Sequence, residues 1–251
     1  MLLSELMKYL DEILDTKNFT DYGPNGLQIE GRKEIKKIVT GVSACVELSG
    51  AAVEKNADAI LVHHGIFWDS QPAVITKSRK DRIAPLLKND ISLIAYHLPL
   101  DAHPLYGNNA GLSFALGLKN LKQFAEYKGK NIGFIGEFEE DMPAESVVSL
   151  IKQKINPESL FYNFGPDRIR SVAVCSGGAQ NVFGEAIEKK ADLFITGEQS
   201  EWVYHLAREE KVHYVSAGHH ATEKFGVRLL GEHIKNEFGL DVEFMDIRNP
   251  I

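Results

Sequence analysis

A chain of 251 residues with 44% hydrophobic and 25% charged residues has the make-up of a folded globular protein, large enough for one sizeable core or two modest ones. Its net charge of −7 and pI near 5.7 argue against the broad Lys and Arg surface that tracks a nucleic-acid backbone, so no duplex nucleic acid is expected as a partner. Its two cysteines, Cys45 and Cys175, have no metal-like spacing and make no disulfide framework; both read as small buried or helix-edge residues.

Taken in chain order, Leu3, Leu6, Met7, Leu10, Ile13 and Leu14 share one face at a period near 3.6, which predicts an amphipathic helix over residues 2–15. The same stretch lacks a basic start and an unbroken apolar run, so it does not read as a signal peptide. No segment approaches the roughly 18 apolar residues of a membrane span; no membrane association is expected, and the cytoplasm is the expected location. Gly23-Pro24-Asn25-Gly26 breaks the first helix. Strands follow near 35–42, 58–63 and 91–96, separated by helices near 45–56 and 78–89, the alternation of βαβ units.

The second half repeats the order, with strands near 169–175, 191–196 and 211–216 and helices near 181–190, 199–209 and 221–237. The segment Ala52–Leu61 aligns without gaps on Ala186–Ile195, an offset of 134 residues (186 against 52), and the same offset lays the strand from Ile38 on that from Val172. Helix-to-strand turns do reuse the same chemistry, but the pattern predicts an α/β fold of two related lobes from an internal duplication. Lys and Gly thicken over 118–131, so the expected division is a first lobe over 1–124, carrying His63, His64 and Asp101, and a second over 125–251, carrying His219 and Glu223. The C-terminal helix and strand could pack back on the first lobe.

Ligand-type residues concentrate in three pieces that each follow an apolar strand: Val62-His63-His64-Gly65, His97-Leu98-Pro99-Leu100-Asp101-Ala102-His103 and Gly218-His219-His220-Ala221-Thr222-Glu223. Six of the nine histidines fall there, and the carboxyl ends of parallel strands gather along one edge, where open α/β folds bind ligands. Adjacent side chains on an extended strand point opposite ways, so His63 and His64 suit two ions better than one unless the chain turns sharply. His219 and Glu223 at i, i+4 would share a helix face, and Asp101 adds an anionic oxygen. Imidazole and carboxylate without thiolate suit Zn, Mn, Fe, Co or Ni without choosing among them. Each piece alone has a plainer reading, as loop, turn or solvated pair; together at three strand ends they point to a metal site in a cleft.

Weaker candidates surround it. His97 and His103 flank Asp101 as orienting or proton-carrying groups, with core or surface roles an equal alternative. Glu198 matches His64 in the repeat and could reach the cleft edge. Phe67 and Trp68 could stack a planar ring, although core packing is the simpler role. Gly107-Asn108-Asn109-Ala110-Gly111 opens a helix whose amides could take an anion or simply cap it.

These pieces, with Thr196-Gly197-Glu198, Pro24-Asn25-Gly26-Leu27-Gln28 and Asp246-Ile247-Arg248-Asn249-Pro250, resemble the NGG-interacting-factor-three-like family, whose bacterial members often carry the label GTP cyclohydrolase 1 type 2. The resemblance spans nearly the whole chain. It implies one ion on His64, Asp101 and Glu223 and a second on His63, His219 and Glu223, with Glu223 bridging. It also implies two α/β lobes and a ring-shaped homohexamer, a trimer of dimers. Two functions follow as expectations: a metal-dependent hydrolase of a small nucleotide-like or purine- or pterin-like substrate, with His97 or His103 moving protons, or a non-catalytic metal-binding scaffold or metallochaperone.

Overall fold

A computed structural model describes residues 1–251 as two compact units, the first made of residues 1–100 and 226–248, the second of 101–225 and 249–251. The chain begins with α1 (Leu3–Ile13), which buries Leu3, Leu6 and Leu10 as its periodicity requires. It continues through β1 (Gly26–Ile29), β2 (Lys37–Ser43), α2 (Val46–Glu54), β3 (Ala59–His64), α3 (Lys77–Lys88) and β4 (Ser92–Ala95). After α4 (Leu98–Ala102) come α5 (Asn108–Leu116), β5 (Lys119–Tyr127), β6 (Lys130–Pro143), α6 (Ala144–Lys154) and β7 (Leu160–Tyr162). Next are β8 (Arg168–Val174), α7 (Phe183–Glu188), β9 (Leu193–Thr196), α8 (Glu201–Glu210), β10 (His213–Ser216) and α9 (His219–Thr222). The chain ends with α10 (Lys224–Phe238) and β11 (Asp241–Phe244). No helix is long and apolar enough to cross a membrane.

In the first unit the sheet order is β1-β4-β3-β2-β11, with β1 antiparallel at one edge and the other strands parallel. Alternate strand residues feed opposite faces: Val39, Ile60, Val62 and Leu93 join one buried cluster with α2 and α3, while Ile38, Leu61 and Ile94 are equally buried on the other face. In the second unit the order is β5-β6-β8-β9-β10-β7, with β8, β9 and β10 parallel and the outer pairings antiparallel. Val172, Val174, Leu193, Ile195 and Val215 pack under α6 on one side, and Ala173, Phe194 and Tyr214 pack with Phe183 on the other.

The duplication extends to single hydrogen bonds. Ile38 pairs with Ala59 in the first unit, and the residues 134 further on, Val172 and Leu193, pair in the second. Asp58 Oδ2 accepts the amides of Lys36 and Lys37 at 2.8 and 2.9 Å. Asp192 Oδ2 accepts those of Arg170 and Ser171 at 2.9 and 2.8 Å. Each carboxylate therefore ties the start of one strand to the start of its neighbour, which is why Ala-Asp recurs where it does.

Two features differ from the sequence expectations. The stretch 118–131, read as the join, contains the whole of β5 and the start of β6, and the compact units divide at Leu100/Asp101, Phe225/Gly226 and Arg248/Asn249. The exposed Lys119, Asn120, Lys122 and Gln123 hide the apolar period of β5, and β6 is masked by glycine just beyond. At Gly133 a Cβ would meet Phe124 at 2.7 Å, and at Gly136 one would meet Leu121 at 2.5 Å, so these strand glycines make room for neighbouring side chains and break the alternation. The helix expected over 221–237 is two pieces, α9 and α10, interrupted at Glu223, whose φ of −106° and ψ of 5° leave helical geometry.

Candidate metal centre

In each unit three parallel strands end at the candidate residues, as the carboxyl-edge argument requires. In the first unit these ends are Ser43 closing β2, His63 and His64 closing β3, and His97 just beyond β4. His63 is fully buried. Its Nδ1 lies 3.0 Å from the Tyr96 carbonyl, and because a carbonyl only accepts, Nδ1 donates and Nε2 carries the lone pair. His64 Nδ1 lies 3.1 Å from Ser43 Oγ. The two rings are not splayed apart as on a flat strand: their centroids are 4.6 Å apart and tilted by 42°. The strand ends at His64, and the next residues turn around Gln28, whose Oε1 accepts the Ile66 amide at 2.8 Å. A Cβ at Gly65 would meet the Gln28 side-chain amide at 2.3 Å, so Gln28 would have to swing away from the turn it supports.

His97 joins this pair, its ring centroid 5.0 Å from that of His63 and 5.6 Å from that of His64. Its Nδ1 donates to Asp21 Oδ1 at 2.7 Å. Burial alone would raise the Asp21 carboxyl, but the His97 hydrogen bond and charge, with Asn25 and the Tyr22 amide, hold it below the usual carboxylate value. Trp68 meets the His97 ring edge-on at 5.2 Å, and Phe67 packs against the first-unit core.

In the second unit Asp101 is 6% exposed. Its Oδ1 accepts Asn108 Nδ2 at 2.9 Å and Ser176 Oγ at 3.0 Å. Asn109, fully buried, donates to the Asp101 carbonyl at 3.3 Å and the Ile132 carbonyl at 2.7 Å and accepts the Ser176 amide at 2.7 Å. The opening of α5 therefore turns its asparagine side chains to holding Asp101. Glu223 is 3% exposed, and its Oε1 lies 3.0 Å from His219 Nε2. His219 Nδ1 lies 2.6 Å from Glu198 Oε1. Burial would lower the His219 pKa, but Glu223 and then Glu198 outweigh it and raise it to about 9. Gly177, at φ +64°, completes the wall: a Cβ there would meet Glu223 Oε1 at 2.3 Å and His219 Nε2 at 3.1 Å.

The sequence candidates thus fall into two groups, His63, His64 and His97 in one unit and Asp101, His219, Glu223 and Glu198 in the other. His103 is engaged elsewhere: its Nδ1 accepts the Leu105 and Tyr106 amides at 3.2 and 2.9 Å, and its ring stacks on Tyr106. Asp21, Ser43, Ser176 and Gly177 escaped the sequence reading. The strand-end rule applied to β8 as well would have led to Ser176 and Gly177; nothing local marks Asp21.

The donor set fits a divalent cation. It is imidazole nitrogen and carboxylate oxygen, with one His63 nitrogen and one His97 nitrogen already held from behind, as metal-binding imidazoles are. The nearby Cys175 is no competitor, because burial, with the charges of Asp101, Glu185 and Glu223, pushes its thiol well above the usual value and keeps it protonated. Cys45 instead caps α2, its Sγ accepting the Leu48 amide at 3.4 Å.

The family model described as Duf34/NIF3 (NGG1p interacting factor 3) matches residues 1–250. A Haemophilus influenzae protein named GTP cyclohydrolase 1 type 2 homolog is 46% identical over 247 residues, 98% of each chain. Among solved structures, protein ybgI, of unknown function, superposes with a TM-score of 0.93 at 42% identity, and TTHA1606 from Thermus thermophilus with 0.90 at 34%, each pair covered in full. The chain belongs to the Duf34/NIF3 family.

Proposed function

We propose that the chain binds two divalent metal ions through His63, His64, Asp101, His219 and Glu223 and acts as a hydrolase on a small nucleotide-like or purine- or pterin-like molecule. The observation that carries this reading is Glu223, a carboxylate 3% exposed and set against His219 in a cradle that only glycine permits. Removing a carboxylate from water is costly unless hydrogen bonds and positive charge replace the solvent, and His219 meets only one of the two Glu223 oxygens at 3.0 Å. Divalent ions held by Glu223 would supply that charge, and Asp101, almost as buried and steadied by Asn108 and Ser176, would share in holding them.

When bound, the ions would polarise a carbonyl or phosphoryl oxygen and make water reactive near neutral pH. The chain's own residues set the geometry. Glu198 fixes the His219 ring, the Tyr96 carbonyl fixes His63, and Asn108 with Ser176 fixes one oxygen of Asp101. The relatives' name motivates the choice of nucleotide and purine compounds for testing. A homohexameric ring and a cytoplasmic location belong to the same proposal, the former measurable by light scattering.

The test loads the purified full-length chain in turn with Mn, Fe, Co, Ni and Zn, counts ions, and assays nucleoside phosphates, purines and pterins. Two ions per chain, metal-dependent turnover, and loss of both in Glu223→Gln are expected. Full occupancy without turnover across the panel would favour the scaffold or metallochaperone reading, and fewer than two ions would remove the dinuclear site.

A further inference from the structure

We infer that the cleft between α1 and the edge strand β1 binds a small cationic amphiphile, a molecule with a protonated amine or amidinium head and an apolar body, and that Asp11 receives the head. The cleft lies wholly within the first unit, and none of the five proposed metal ligands lines it. The inference therefore depends on neither the metal reading nor the hydrolase reading.

Chain geometry leaves the cleft open. β1 pairs with β4 on one side only, and α1 packs alongside it. The space between helix and strand amounts to about 560 Å³, within the roughly 300–1,000 Å³ of small-molecule sites. Leu3 and Met7 line it from the helix and Leu27 from the strand. Leu27 is 37% exposed, and Leu2, which also lines the cleft, is 44% exposed. Both are apolar surfaces that a bound apolar body would take out of water.

Backbone, carboxylate and thioether meet in the same cleft. Gly26 sits at φ +96°, and its Cβ position lies 3.4 Å from Asp11 Oδ1 and 3.5 Å from Met7 Cε. Asp11 Oδ1 accepts the Tyr96 hydroxyl at 2.8 Å. Tyr96 is fully buried; burial and then the Asp11 charge push its phenol far above the usual value, so it remains a donor. That bond fixes the carboxylate and uses one oxygen, which leaves Oδ2 for a ligand. The other polar groups of the lining are spent or solvated. Asn25 gives its Nδ2 to Asp21 and its Oδ1 to the His97 amide, while Glu30 and Lys33 are exposed and of opposite sign. Asp11 is the half-buried group with bonding capacity left.

Charge then decides the ligand's chemistry. Asp11 and Glu30 against Lys33 give the lining a negative balance, which favours a cation over an anion. A neutral apolar molecule would strip water from the carboxylate and return nothing. An ammonium or amidinium replaces that water with a charge-assisted hydrogen bond, and the flexible Met7 adapts to the body beside it. The Tyr96–Asp11 bond alone would tie α1 to the end of β4, but such a tie does not require an open, apolar-walled space beside it.

The test follows the Met7 methyl, one of four methionine methyls, by ¹³C NMR of the full-length chain, with its resonance assigned through Met7→Leu. Butylamine, hexylamine, octylamine, hexanol and hexanoate are titrated in turn at neutral pH. Amine affinity should rise about fourfold per added methylene. Hexylamine should bind at least roughly 10-fold more tightly than hexanol or hexanoate. Asp11→Asn keeps an acceptor for Tyr96 but removes the charge, so it should weaken hexylamine about 10- to 100-fold and leave hexanol unchanged, with folding checked by urea denaturation. Equal affinity for hexylamine and hexanol, tighter binding of hexanoate, or unchanged hexylamine affinity in folded Asp11→Asn would each overturn the inference. Should Asp11→Asn fail to fold, the comparison of amine with alcohol in the unsubstituted chain decides. A Met7 methyl indifferent to every amine would also overturn it, and light scattering would then show whether a second copy of the chain covers the cleft.

Discussion

Gly177→Ala tests whether the second unit is shaped around its carboxylate. The residue sits at φ +64°, where an L side chain crowds its own backbone at a cost of roughly 1–2 kcal/mol. The new methyl would also fall 2.3 Å from Glu223 Oε1, against ordinary contacts of about 3.5 Å, so the carboxylate must move by about 1 Å. Metal–ligand distances tolerate about 0.2 Å, so metal affinity should drop by roughly 10- to 100-fold, the range seen when ligand support is lost. Gly117→Ala is the matched control. Gly117 also has a positive φ, +78°, but nothing lies within 4 Å of its Cβ position. Both variants should lose about 1–2 kcal/mol in urea denaturation, yet only Gly177→Ala should lose metal in a chelator competition. Wild-type metal affinity in Gly177→Ala, or an equal loss of metal affinity in both variants, would refute the idea that this glycine is there for Glu223.

Asn109→Ala should cost about 1–3 kcal/mol in denaturation, because it leaves the buried Ser176 amide and Ile132 carbonyl without their partner; an effect below about 0.5 kcal/mol would contradict this accounting. Glu198→Gln keeps the size but removes the charge behind His219, and metal affinity by competition should fall roughly 10-fold with folding intact; an unchanged affinity would remove Glu198 from the site. Asp192→Ala should destabilise by about 2–3 kcal/mol by freeing two amides, and Asp58→Ala by more, since Asp58 also accepts Arg32 at 2.9 Å. Neither should change metal content, and a metal-deficient but folded Asp192→Ala would show that the duplicated clamp is more than structural.

The parts of this fold legible in the sequence were those written in periodicity and in strand ends. The Leu3–Leu14 stripe marks α1, and the shared Ala-Asp before two strands marks a duplication that the strand register repeats pair for pair. The β5–β6 hairpin was not legible, because β5 is exposed over much of its length and Gly133 and Gly136 replace the side chains that would have shown alternation. The histidines and carboxylates stood out as residue types. Their supports did not: Asp21 lies 76 residues from His97, and Ser176 lies 75 from Asp101, so only the fold brings them together. The splaying expected of His63 and His64 failed for a local reason, the turn that Gly65 and Gln28 impose directly after the strand.

The most direct trial of the account is diffraction from metal-loaded crystals recorded on both sides of the metal's absorption edge. Two anomalous peaks per chain about 3.5–4 Å apart, with Glu223 touching both and His63, His64, Asp101 and His219 completing the shells, are the predicted result. A single peak, or peaks away from these five side chains, would contradict it.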